Sequence, residues 1–210
     1  MQRYPDENFY SICARLHFYS GEKERITNLR LFGHVETTNH ILWPNRLYYF
    51  SEKLGIDPMV ILVENTIFPY FSKFLTEEKI GKLKNAMLFG DNKANPSSIV
   101  AQNQDKLSQI RLMLCPMCAQ EDFSKYGEPY WHRSHHLPGT RVCYKHNVFL
   151  VSECPTCKVP LSTTSNKGLK LPSFFCKNGH SLSMSKENSD EKLWLIAQEN
   201  HYFLHLKQEL

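Results

Sequence analysis

Apolar positions recur every three or four residues through the first ninety residues, and residues that start and stop helices punctuate the recurrence. "PDENFYSICARLHFYSG" puts Phe9, Ile12, Cys13 and Leu16 on one helical face, with Pro5 and Asp6 at its start and Gly21 at its end. "KERITNLRLFG" predicts a second, shorter helix with Ile26, Leu29 and Phe32 inward and Gly33 as its stop. Pro44 opens "PNRLYYFSEKLG", which Gly55 closes. Asp57 and Pro58 form an N-cap and first-turn pair for "DPMVILVENTIF", which Pro69 ends. Thr76, followed by Glu77 and Glu78, opens a helix that runs to about Leu88 and stops at Gly90. Five short helices with brief turns predict a compact helical domain over 1–98, with a helix-turn-helix best placed within 26–54. Many small bundles share that spacing, so it does not by itself specify DNA reading. "DNKANPSS" at 91–98 reads as a loop, and 99–111 as a short helix leading onward.

The texture changes at Leu114. Paired cysteines, short apolar pieces such as "VFLV" and "SFF", and turns at Pro138-Gly139, Asn166-Lys167-Gly168 and Asn178-Gly179 predict short strands and knuckles rather than long helices. Helical spacing returns in "NSDEKLWLIAQENHYFLHLKQEL", with Ser189 or Asp190 as cap and Leu193, Ile196, Ala197 and Leu204 on one face. That segment reaches Leu210 without a C-cap, which reads as the start of a longer C-terminal helical region. The predicted fold is mainly α with small zinc-ribbon-like β elements. A helical domain over 1–98 precedes tandem metal-binding modules over 99–185, and a helical segment over 186–210 follows.

Composition narrows the class. The chain of 210 residues is 41% apolar and 12% aromatic, enough to bury cores. Its N-terminus has no apolar stretch resembling a secretion signal, and the longest aliphatic run, "MVILV" at 59–63, is far too short for a bilayer. A cytoplasmic protein with no membrane partner is expected. Six of the seven cysteines fall in spaced pairs with histidine, a metal pattern rather than a disulfide framework. Cys13 stands apart as a small apolar helix residue. Net charge is +4, and residues 112–185 hold eight Lys or Arg against four Asp or Glu. Two ions, each held by three thiolates and a histidine, would lower that local excess by about two, so bulk charge is weak support for nucleic acid.

Cys115, Cys118, Cys143 and His146 give C-x2-C-x24-C-x2-H; Cys154, Cys157, Cys176 and His180 give C-x2-C-x18-C-x3-H. A two-residue spacer brings both ligands of a pair to one tetrahedral ion, and a second pair supplies the other corners. Two structural Zn2+ ions are predicted, with each set closing its own site. The interleaved pairing, with 115/118 joined to 154/157, requires the pairs to thread through each other. His132, His135 and His136 are left without a ligand role; with Trp131 and Arg133 they read as packing or as a contact surface.

Four protein ligands per ion leave no open position for catalysis. "HVE" at 34–36 lacks the context of a deaminase site, "HYFLH" at 201–205 lacks a metalloprotease glutamate, and no glycine-rich phosphate loop is present. An enzyme is not expected.

"LCPMCAQEDFSKYGEPYWHRSHHLPGTRVCYKHNVFLVSECPTC" resembles the signature of the TniQ/TnsD transposition proteins: CPxC, an acidic residue, YGE with an aromatic pair, Leu-Pro, and a C-x2-H knuckle. "DENFYSICAR", "LFG" at 31–33, Pro44 and "ENTIFPYF" at 64–71 are similar to the family's helical start. The resemblance covers roughly 1–157. Tyr144 stands where the family's knuckle usually has proline.

The resemblance implies a non-catalytic adaptor for target-site selection in a bacterial transposon. Such an adaptor binds target DNA or a guide-RNA (CRISPR) effector complex and recruits the AAA+ ATPase transposition regulator, which brings the transposase. The chain would be an N-terminal portion of a TnsD-like protein or a short TniQ-like one. The alternative is a stand-alone zinc-containing, sequence-specific DNA-binding regulator. Candidate DNA or partner contacts are Arg25, Arg30, Arg46, Lys125, Trp131, Arg133, Arg141 and Lys145, arginine being suited to phosphate or guanine.

Overall fold

A computed structural model describes residues 2–34, 41–90, 96–100, 111–161 and 168–206. Expectations for Val35 and Glu36, for a helix through 101–110 and for the turn at Asn166-Lys167 lie outside the described residues. The chain divides into two compact units, 1–110 and 111–209.

The first unit is helical: α1 (Phe9–Ser20), α2 (Glu24–Phe32), α3 (Leu47–Leu54), α4 (Pro58–Asn65), α5 (Phe68–Ser72), α6 (Glu77–Phe89) and α7 (Pro96–Val100). α1 starts later than Pro5 and Asp6 suggest. Asn8 is its cap, accepting from the Tyr10 N–H at 2.8 Å, because Asp6 turns the chain into the left-handed region (φ 58°). Asp57 caps α4 through the Met59 N–H (2.8 Å), with Pro58 in the first turn as expected. Pro69 does not end α4: the helix stops at Asn65, and Pro69 sits in the first turn of α5, where its missing N–H costs nothing. Pro44 lies three residues before the start of α3 instead of opening it.

The core of this unit is an aromatic knot. Phe9 meets Phe50 edge-on with centroids 4.7 Å apart, and Phe32 lies 5.8 Å from Phe50, nearly parallel. Ile12, Leu47, Ile61, Leu62, Phe68, Leu83 and Met87 fill the space around it. Each such side chain contributes about 1.5–3 kcal/mol through burial. Cys13 is completely buried, and burial followed by the nearby Glu7 charge pushes its thiol well above the usual range.

α2 corrects the pattern reading: Ile26 and Leu29 face outward, and Thr27, Asn28, Leu31 and Phe32 face the core. The local reason is polar. His17 Nδ1 lies 2.9 Å from Thr27 Oγ1, so α1 draws Thr27 inward and rotates the apolar stripe partly into solvent. Helices α3 and α4 pack together across the three-residue link 55–57, and that pair overlaps the expected 26–54 window only through α3. Helix α4, "PMVILVEN", carries no lysine or arginine, so the second helix of that pair has no cation to place on DNA. At the end of α6, Gly90 has φ +70°, and a Cβ there would come within 2.6 Å of Arg46 Cγ, so glycine suits both backbone and space.

The second unit holds α8 (Pro116–Tyr126), a 3-10 turn at Arg133–His136 and α9 (Glu191–His205). Among the described residues its β structure consists of isolated antiparallel bridges: Leu114 with Val151, Val142 with Phe149, Val148 with Glu187, Glu153 with Pro160 and Phe175 with Ser181. The eleven-residue α8 corrects the expectation of knuckles without substantial helix. Its signals are Pro116 at the first helical position and Gly127 in the left-handed stop (φ 82°), on a segment whose cysteines dominate the eye. No helix among the described residues is long and apolar enough to cross a membrane.

Candidate metal centres

Each ligand pair is presented by a short backbone device. Cys115 is the N-cap residue of α8: the Cys118 N–H points at its Sγ (3.5 Å), and the Ala119 N–H donates to its carbonyl. The positive end of the helix thus faces the Cys115 sulfur, favouring its thiolate. Cys143 and His146 sit on a knuckle in which the Asn147 N–H donates to the Cys143 carbonyl and the Cys143 N–H to Val148 (both 2.9 Å), with Asn147 at φ 51°. Cys154 and Cys157 repeat that knuckle: Lys158 N–H to Cys154, Cys154 N–H to Val159, and Lys158 at φ 59°. Cys176 and His180 close around Gly179 (φ 80°), whose N–H donates to Cys176.

The eight side chains converge as two separate sets, Cys115, Cys118, Cys143 and His146, and Cys154, Cys157, Cys176 and His180, with ligand atoms within 4.8 Å in each. This is the sequential grouping. Zinc–sulfur and zinc–nitrogen distances imply tetrahedral edges of about 3.8 Å for S···S and about 3.5 Å for S···N. In the first set Cys118 Sγ is 3.6 Å from Cys143 Sγ, and His146 Nδ1 is 3.5, 3.4 and 3.6 Å from the sulfurs of Cys115, Cys118 and Cys143. In the second, Cys157 Sγ is 3.7 Å from Cys176 Sγ, and Cys176 Sγ is 3.6 Å from His180 Nδ1. Both sets fit a tetrahedral ion and can hold metal.

Electrostatics at the first set point the same way. Hydrogen bonds with Cys115 and Cys143, then burial, push the Cys118 thiol far above its usual range, and hydrogen bonds from Cys115 and Cys118 pull Cys143 far down. Without a cation, one thiolate suppresses ionisation of its neighbour; a divalent ion removes the conflict. In the second set the Val159 N–H pulls the Cys157 thiol down to about 6.

The two sets are supported differently. His146 Nε2 lies 3.1 Å from Glu121 Oε1, a carboxylate-to-histidine brace that fixes the ring with Nδ1 toward the sulfurs. Glu121 also pairs with Lys145, which, followed by the bond to His146, holds its carboxyl below the usual range. Sequence reasoning missed Glu121; the available signal was its place three residues after Cys118, on the next turn of a helix. Cys157 of the second set is half-exposed and accepts from Asn178 Nδ2 at 3.4 Å.

The aromatic and histidine cluster after α8 lies inside the second unit. Tyr130, Trp131, His132, Arg133, His135 and His136 are all buried. The Trp131 indole N–H donates to the Lys170 carbonyl (2.7 Å), and Arg133 reaches His205 Nε2 (3.3 Å). His132 Nε2 is 2.8 Å from the buried Asp122 carboxylate, while His136 accepts from the Met113 N–H and faces the His132 carbonyl. The loop is drawn inward because its polar atoms find partners there. The remaining candidates stay at the surface: Arg25, Arg30, Lys125, Arg141 and Lys145 are exposed and Arg46 half-exposed. Arg30 pairs with Glu22 (2.8 Å), Lys145 with Glu121, and Lys125 lies over the Tyr126 ring.

A helical first unit followed by two closed Cys3His clusters defines a module with two sites that each offer four protein ligands to a metal ion. The family model for TniQ matches residues 1–150, and the chain belongs to the TniQ family. It is similar to the Transposon Tn7 transposition protein TnsD of Escherichia coli, 23% identical over 154 residues, or 70% of this chain. The chain spans about 30% of the length of that relative.

Proposed function

We propose that this chain is a non-catalytic adaptor that selects the target site for DNA transposition. It binds target DNA or a guide-RNA effector complex and recruits the AAA+ ATPase transposition regulator. The observation that carries this reading is the TniQ match over 1–150, which includes the whole first metal cluster; the similarity to TnsD supports it. Each cluster holds one Zn2+, through Cys115, Cys118, Cys143 and His146 and through Cys154, Cys157, Cys176 and His180. Zinc supplies folding free energy here rather than reactivity, since all four positions are protein ligands. The outward cations Arg25, Arg46, Lys125 and Arg141 are the contacts we assign to DNA phosphates or an acidic partner. They act on the cytoplasmic, nucleoid side of the cell.

The test is retention of the transposon's ATPase on target DNA by the zinc-loaded protein, compared with Cys115→Ser. The loaded protein retains the ATPase and the variant loses it. Selective, salt-dependent DNA binding without ATPase retention would point instead to a stand-alone DNA-binding regulator.

A further inference from the structure

The first metal cluster has a neighbour with no ligand role. His135 is only 2% exposed, stands on the 3-10 turn, and holds Nε2 at 3.9 Å from Cys118 Sγ. Its ring lies 4.9 Å from that of His132, which stacks on Tyr130 at 4.3 Å and is held by the Asp122 carboxylate and, through its carbonyl, by His136. A packed row of rings therefore fixes His135, independently of any bond to sulfur.

The four assigned ligands complete a tetrahedron without it. A Cys3His zinc centre carries a net charge of about −1, and here the three cysteines are at most 5% exposed. Uncompensated negative charge is costly in such surroundings, and an N–H aimed at sulfur offsets it. The second centre has a counterpart donor, the Asn178 amide on Cys157, placed at the surface.

Resting on the zinc reading above, we propose that His135 is a positioning residue of the first metal centre. Its Nε2–H donates to the Cys118 thiolate, so the free lone pair of that sulfur is turned from electrophiles and the ion is retained. The centre is thereby built to survive thiol-reactive conditions, with a buried histidine as its guard.

The test begins with zinc content of the unmodified protein. Fewer than two ions per chain fails the metal reading itself and, with the first centre empty, the proposal too. In zinc-loaded protein, His135→Leu and His135→Gln are then compared with the parent. The readouts are metal affinity, zinc release by N-ethylmaleimide, and the sulfur-to-metal absorption band after cobalt(II) substitution. His135→Leu should bind metal about ten-fold or more weakly, release it several-fold faster and shift the band. His135→Gln, which can place an N–H near the same point, should restore most of each. An unchanged release rate and band in His135→Leu, or a glutamine variant as impaired as leucine, overturns the proposal. If His135→Leu does not load metal, nitrogen-15 spectra of the parent decide: a protonated Nε2 on His135 supports the proposal, and an unprotonated Nε2 overturns it.

Discussion

Glu7 is fully buried, and its carboxylate accepts from Arg15 Nη1 at 3.1 and 3.2 Å and from the Tyr4 N–H at 3.0 Å. Burial nevertheless outweighs Arg15 and raises its carboxyl above the ordinary value of 4.5. A raised folded-state value means that the native state keeps a proton the unfolded chain has lost. The Glu7 contribution should therefore fall as pH rises from 4.5 through its native value, and level off above. Urea unfolding across that window, with Glu7→Gln lacking this component, checks the sign. The buried loop gives a second prediction at this scale. Trp131→Ala should cost about 3–5 kcal/mol of second-unit stability, because it empties a core position and frees the Lys170 carbonyl. Thermal unfolding of the zinc-loaded protein measures it; a surface residue would leave the midpoint unchanged. Trp131 was legible as important but not as buried, since aromatic and histidine side chains serve cores and surfaces alike.

Among elements, α9 is tied to its neighbours by ring and polar contacts. Its His201 ring stacks on Tyr144 with centroids 3.5 Å apart and planes within 9°, and the Trp194 indole donates to the Tyr144 carbonyl at 3.0 Å. Asn200 donates to the Pro138 carbonyl and to Thr140 Oγ1, and Ser134 Oγ lies 2.9 Å from His201 Nδ1. All of these partners lie on the segment between Cys118 and His146, which the first cluster closes. Tyr144→Pro should leave metal content intact while loosening α9, seen as faster amide hydrogen exchange along Glu191–His205. Helix existence was well marked in the sequence wherever caps were strong, as at Asp57 and at Gly21, Gly33, Gly55 and Gly90. Facing was less legible on α2, because the His17–Thr27 contact that sets its rotation joins two helices. The length of α8 was hidden because its first turn doubles as a ligand pair.

For the whole molecule, the spacing of the cysteines carried the most reliable information. A C-x2-C or C-x2-H spacer dictates local geometry almost regardless of the rest of the fold, so the grouping into two sets could be read without coordinates. The supporting groups Glu121, Asp122 and His135 could not, because each reaches its partner through helix or turn geometry that spacing alone does not reveal. Separate sites make a stoichiometric prediction. Cys115→Ser should lose the first ion and keep the second, and Cys154→Ser the reverse, each retaining about one zinc per chain by native mass spectrometry. With 115/118 joined to 154/157, both substitutions would strike the same ion, so the double variant Cys115→Ser/Cys154→Ser would keep one zinc, whereas the separate sets leave none.

The most direct measurement of the proposed role is the distribution of transposon insertions across the genome, with the chain intact and with its gene deleted. The account predicts insertions concentrated at one target or at guide-matched targets when the chain is present, and lost or scattered when it is absent. An unchanged frequency and distribution after deletion would contradict it.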